Sequence, residues 1–463
     1  MTLKDIDLAK LTAKQGIKLT GEASMDHSGW SVSGAGDVNN DGYSDFIIGA
    51  YNASPLGRIN AGETYLLFGK KSGLTNIDLK NLTLTQGIKI IGASQNDNSG
   101  WSVSGAGDVN GDGYGDVIIA ATKKSYLIFG KNTNFTNIDL GTLTLSQGIT
   151  IRGSNIKNNS DWAVSTAGDV NNDGYSDLIV GSHHENPLGR IAAGETYLIF
   201  GKKSLTDIDL VTLSYPQGII IQGANTNDES GWSISGAGDV NNDGYDDIII
   251  GARYANPLGR TNAGESYLIF GKNNRFANID LRNLALPKGI KIIGNSNKDN
   301  SGWAVGGAGD VNNDGYDDII IGARYADPLG RINAGESYLI FGKNTTLFTN
   351  IDLKNLTLTQ GIKILGADIN DNSGNSVSAA GDVNKDGYDD IIIGASGAPK
   401  GTFKGETYII FGKNGTLFTN IDLKNLTLTQ GIKIVGAHIN DTSGSSVSSA
   451  GDVNNDGYDD MII

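Results

Sequence analysis

Asp37-Val38-Asn39-Asn40-Asp41-Gly42-Tyr43-Ser44-Asp45 holds an oxygen donor at every odd position: side chains at positions 1, 3, 5 and 9, and a backbone carbonyl at 7. Near-copies start at Asp108, Asp169, Asp239, Asp310, Asp382 and Asp452. Ca²⁺ is a hard cation that takes six to eight oxygens, and a tightly wound loop lets alternate residues converge on one point. Gly42 permits the sharp turn, because without a Cβ it takes positive φ at little cost. Mg²⁺ suits the loop less, since it demands a tighter octahedron and keeps its waters. An Asn/Asp/Gly turn that binds nothing is the plain alternative for one copy. Seven copies that keep all five donors argue against it.

The candidate ligands are therefore Asp37, Asn39, Asp41, Tyr43 and Asp45; Asp108, Asn110, Asp112, Tyr114 and Asp116; Asp169, Asn171, Asp173, Tyr175 and Asp177; Asp239, Asn241, Asp243, Tyr245 and Asp247; Asp310, Asn312, Asp314, Tyr316 and Asp318; Asp382, Asn384, Asp386, Tyr388 and Asp390; and Asp452, Asn454, Asp456, Tyr458 and Asp460. Up to seven Ca²⁺ are expected. The loop is not an EF-hand: position 12 is Ile48 rather than a bidentate Glu, and β-branched runs such as Phe46-Ile47-Ile48 follow it.

Working outward, the loop sits in a unit repeated at first-Asp spacings of 71, 61, 70, 71, 72 and 70 residues. From Trp303 a unit reads as strand A (304–309), the loop, strand B (318–322), a long B–C loop, strand C (336–342), a connector with Ile351-Asp352-Leu353, and strand D (361–366). Four short strands repeated seven times predict an all-β chain: a seven-bladed β-propeller of four-stranded antiparallel blades. The blades are expected at about 30–95, 101–154, 162–223, 232–294, 303–366 and 375–436, with 445–463 joined by 1–22. That last blade lacks a C strand, so either an incomplete blade or a truncated product is expected. The second unit is short because Ala120-Ala121-Thr122-Lys123-Lys124 replaces the long B–C loop.

With these residues in view, Phe68-Gly69 and Gly49-Ala50…Pro55 around Asp-x-Asn-x-Asp-Gly-x-x-Asp resemble FG-GAP repeats. The family builds the seven-bladed propeller of integrin α-subunits and many bacterial proteins. The resemblance implies Ca²⁺ at the loop Asp, Asn and carbonyl positions. Integrin α-subunits carry the loop in only some blades. Its presence in all seven units here looks more like bacterial relatives and one fungal lectin type.

Composition narrows the function classes. The chain has 463 residues, no Cys, 66 Gly and a net charge of −15. Seven bound Ca²⁺ would bring that charge close to zero, so the acidity is mostly that of the loops. An acidic chain argues against nucleic acid. No run of about 18 apolar residues exists, so no membrane span is expected. The start, Met1 to Leu8, lacks the apolar core of a signal peptide. The expectation is an extracellular or cell-surface adhesion module, monomeric or part of a larger chain, with each blade braced by Ca²⁺.

A protein or glycan ligand is expected on the face formed by the B–C loops and D–A turns, opposite the calcium loops and connectors. Pro-Leu-Gly-Arg recurs there at Pro55, Pro187, Pro257 and Pro328; its Arg is read as a solvated turn residue paired to nearby acid, with a ligand's carboxylate or sugar hydroxyl as the alternative partner. Trp30, Trp101, Trp162, Trp232 and Trp303 open the D–A turns, with Asn375 and Ser445 in their place later. Blade-to-blade packing is their favoured role, and sugar stacking in a multivalent lectin the alternative. Asp97 to Gly100 reads as a side-chain-capped turn in preference to a second metal site. Glu63, Glu195, Glu265, Glu336 and Glu406, opening strand C, read as structural. His27, His183, His184 and His438 hold no repeated position and no nucleophile–base set is visible, so the chain is not expected to be an enzyme.

Overall fold

The computed structural model describes residues 4–71, 74–132, 135–153, 163–273, 276–399, 401–415 and 418–463. Trp162 and the ends of the expected blades at 154 and 162 lie outside them. Within the described residues regular structure is strand, with short 3₁₀ turns and no α-helix.

The fifth unit shows how a blade is built. Ala304–Gly309, Asp318–Ala323, Glu336–Ile340 and Gly361–Leu365 pair in order as an antiparallel meander. A fifth strand, Ile421–Asp422, then adds in parallel to the outer edge. That strand belongs to the connector of the next unit. Blades are thus five-stranded, and from the second unit on each connector serves as a strap on the blade before it. The same arrangement gives blades whose inner strands are Ser31–Gly36, Val103–Gly107, Ala163–Gly168, Ser230–Gly238 and Ser373–Gly381. The strap of the last of these is Ile6–Asp7, near the start of the chain.

The expectation of seven blades is corrected here: the described residues form a six-bladed propeller. Ser448–Gly451 and Asp460–Ile462 pair only with each other, and Leu19–Thr20 pairs only with Ile77–Asp78. The physical reason is that a C strand is what joins B to D in every complete blade, and these two ribbons have none between them. Ser448–Gly451 still packs between the inner strands Ser373–Gly381 and Ser31–Gly36, so it fills the remaining sector.

Side-chain chemistry explains the layers. Second strands such as Asp318-Ile319-Ile320-Ile321-Gly322-Ala323 are buried throughout, as expected for a strand covered on both faces. One core cluster joins Ile249, Leu268, Ile290 and Ile292 of one blade, with Ile351 of its strap, to Ile319, Ile321 and Tyr338 of the next. Each fully buried Ile or Leu contributes about 1.5–3 kcal/mol. The core is therefore a ring of face-to-face sheet contacts.

The straps were expected to stay on the calcium-loop face with the rest of the connector. Ile351–Asp352 instead runs parallel to Gly289–Ile293 along the blade's outer edge, and brings Asp352 to the far face. There Arg260 of Pro-Leu-Gly-Arg donates from Nη1 and Nη2 to Asp352 Oδ1 and Oδ2 at 2.6 and 2.8 Å, and from Nη1 to Gly294 O at 2.8 Å. Arg58–Asp139, Arg190–Asp280 and Arg331–Asp422 repeat the contact. Arg58 and Arg190 are bidentate as well. The guanidinium holds the carboxyls of Asp139, Asp280 and Asp352 below the ordinary carboxylate range. The recurring Arg is thus committed to locking one unit onto its neighbour.

Candidate metal centre

Each Asp-x-Asn-x-Asp loop joins strand A to strand B, and its conformation is fixed by its own first carboxylate. Asp37 Oδ1 accepts from the Asp41 N–H at 3.0 Å, and Oδ2 from the Gly42 N–H at 2.8 Å. Asp41 Oδ1 accepts from the Tyr43 N–H at 3.1 Å. All seven loops repeat these three bonds. Gly42 has φ +86°, the left-handed region the sequence called for.

The ninth-position carboxylate anchors the base. Asp45 is fully buried; its Oδ2 accepts from the Val38 N–H and its Oδ1 from the Gly69 N–H. Gly69 is the glycine of Phe-Gly. A Cβ there would meet Ser44 O at 2.3 Å and Val453 O, in the neighbouring loop, at 2.8 Å. The Phe-Gly step therefore ties the end of strand C to the base of its own loop and against the preceding one.

Burial pushes the Asp45, Asp177 and Asp390 carboxyls up to about 8, Asp116 to about 7 and Asp460 to about 6, with nearby loop carboxylates adding to the effect. Burial likewise raises Asp247 and Asp318 well above the ordinary range.

The Oδ1 atoms of Asn39, Asn110 and Asn241 are buried with no hydrogen-bond partner. In the later loops the Asn amide nitrogen leans toward the ninth-position Asp, as Asn241 Nδ2 does to Asp247 Oδ2 at 3.3 Å. A buried acceptor without a donor is costly unless something positive meets it. The other candidate donors of each loop are carboxylate and carbonyl oxygens, which suit a hard cation. Among the described residues, however, no three acidic or histidine side chains are gathered closely enough to hold a metal by themselves. The Asp, Asn, Asp and Asp side chains share one loop, but their carboxylates are engaged by backbone N–H groups rather than converged.

Sequence reading passed over position 8, which varies. Asp246, Asp317, Asp389 and Asp459 occupy it in the last four units and accept from the N–H of the first Asp in the preceding loop, at 2.7–2.9 Å. The signal was present as a run of Asp-Asp pairs, but the bond links residues 77–79 apart, a distance no local pattern reports.

On the opposite face the Trp rings touch one another. Trp30 and Trp101 lie 5.0 Å apart between centroids, and Trp232 and Trp303 5.4 Å apart. The Asp97-type turns are capped as read, with the Ser94 N–H donating to Asp97 Oδ2. The Glu at the start of strand C accepts from the Tyr hydroxyl two residues on, as Glu265 does from Tyr267 at 2.7 Å.

Comparison with known proteins fits this geometry. A model of the FG-GAP repeat matches residues 28–67, 230–269, 301–340 and 373–410, and one of the FG-GAP-like repeat matches 108–180. The chain carries FG-GAP repeats. Its relatives include phosphatidylinositol-glycan-specific phospholipase D of Bos taurus, 34% identical over 33% of this chain and 18% of that protein. The Homo sapiens protein of that name is 29% identical over 47% and 24%. Integrin alpha pat-2 of Caenorhabditis elegans is 30% identical over 49% and 17%. The FG-GAP chain thus spans less than a quarter of these relatives' lengths. The expectation that it is not an enzyme is corrected by the first two, which are enzymes by name. Among the described residues no helix is long and apolar enough to cross a membrane.

Proposed function

We propose that this FG-GAP propeller is a calcium-braced protein-interaction module working outside the cell or at its surface. Similarity to integrin α-subunits supports the interaction role. The observation that carries calcium is the orphaned, buried Asn Oδ1 in loops whose other donors are all oxygens. Ca²⁺ would be held by the Asp, Asn, Asp and Asp side chains of each loop, such as Asp239, Asn241, Asp243 and Asp247, with the Tyr245 carbonyl. Its charge would offset the mutual repulsion of three carboxylates and the cost of burying one of them. Weak sites of this kind suit millimolar extracellular calcium.

The partner would meet the face of B–C loops and D–A turns, because loops on a rigid scaffold carry recognition. A carbohydrate ligand gains no specific support, since the described indoles pack against each other and against arginine. Isothermal titration of the chelator-treated chain with CaCl₂ tests the reading. About seven sites are expected. Two or fewer would remove the metal from the account.

A further inference from the structure

Two arginines occupy equivalent places just after strand B. Arg253 lies against Trp232, with its guanidinium carbon 3.1 Å from the ring centroid, and against Trp303 at 4.7 Å. Its charge is answered within its own unit, where Nε and Nη2 donate to Glu229 Oε2 at 3.1 and 2.8 Å. Arg324 lies against Trp303 at 4.3 Å and Tyr325 at 4.7 Å. Where the preceding unit has Glu229, this one has Asn300, whose Nδ2 donates to the Arg253 carbonyl at 3.0 Å.

Arg324 consequently has no carboxylate partner among the described residues, and its Nε is enclosed without an acceptor. The residue itself stays partly exposed. The next unit also opens the aromatic row beside it. Asn375 stands where a fourth-unit neighbour would have Trp, and its Nδ2 is spent on the Ser445 carbonyl at 3.2 Å.

We propose that Arg324 receives a carboxylate side chain, Asp or Glu, presented by a protein partner. The proposal rests on the interaction reading above and names the chemistry that its face would recognise. The aromatic neighbours fix the guanidinium plane, which leaves its edge as the binding direction, and that edge matches a carboxylate in two parallel hydrogen bonds. Arg253 shows inside the same protein that this stacked environment takes a carboxylate when one is supplied. A sugar acid is less suited, because two guanidinium groups already lie against the Trp303 ring on which a pyranose would stack.

The test uses the full calcium-loaded chain and follows the Arg324 Nε–H resonance, assigned by its loss in R324K. Acetyl-Gly-Asp-Gly-amide is expected to shift that resonance saturably, and acetyl-Gly-Asn-Gly-amide to bind at least about tenfold more weakly, since only the former offers a charged acceptor. The Asn300→Glu variant supplies the missing internal carboxylate. It is expected to move the same resonance without peptide, raise the melting temperature and abolish peptide binding. Equal response to both peptides, a response only to D-glucuronate, or unaltered peptide binding in Asn300→Glu would overturn the proposal. Loss of calcium binding in the same preparation would instead count against the calcium-braced module.

Discussion

Breaking one strap lock gives a local and quantitative prediction. Arg260→Ala removes a bidentate contact to Asp352 whose side chains are 18% and 22% exposed, and leaves Gly294 O without its donor. An exposed ion pair is worth about 0–1 kcal/mol, and cutting a buried one costs about 3–5 kcal/mol. One-fifth exposure lies between, so about 2 kcal/mol is expected. Asp352 keeps the Lys354 N–H and the Asn355 amide, which softens the loss. The Ile351–Asp352 strap is a two-residue strand at a sheet edge, so the effect should appear first as local opening. Amide exchange in the strap should speed up about thirtyfold, the equivalent of about 2 kcal/mol. The core amides of Asp318–Ala323 should change far less. A double-mutant cycle with Asp352→Ala should give a coupling above about 1 kcal/mol. Strap exchange at the wild-type rate, or strictly additive effects, would refute the locking role.

Three further outcomes follow from the same geometry. The Asp139, Asp280 and Asp352 carboxyls are lowered by their arginines, so their stabilisation is complete above the unfolded carboxylate pKa of about 4 and is lost as pH falls through the lower folded values. Strap amide protection should hold at pH 5 and collapse below about pH 4. Gly342→Ala would put a Cβ 2.3 Å from Asp317 O and 2.8 Å from Val240 O, all backbone or close to it, and should cost about 1–3 kcal/mol in urea unfolding. Asn241→Ala removes one oxygen and should weaken calcium at a single site, so titration should show one fewer site of the common affinity without change of fold.

What the sequence made legible was periodic. Strand limits in the unit from Trp303 were read to within two residues, because Ile-Ile-Ile and Tyr-Leu-Ile runs bounded by Gly and Asp leave little choice. The loops were legible because oxygen-bearing residues recur at odd positions around a turn glycine with fixed spacing. The straps were not, since two residues, Ile and Asp, carry no period, and their Arg partners sit 81–92 positions away. Blade count failed for a related reason. The motif repeats seven times, but a sheet forms only where a C strand joins B to D, and counting loops does not count sheets. The enzyme expectation failed because a repeat without a catalytic set does not report on the longer proteins in which such repeats occur.

The central claim is that calcium braces the ring. At free Ca²⁺ ten times Kd each site adds about 1.4 kcal/mol, and seven such sites about 10 kcal/mol, the scale of a whole domain's stability. The most direct measurement is thermal unfolding of the full chain in millimolar Ca²⁺ and in excess EGTA with Mg²⁺ present. The account predicts a fall in melting temperature on the order of 10 °C in EGTA. A melting temperature unchanged by the chelator would contradict it.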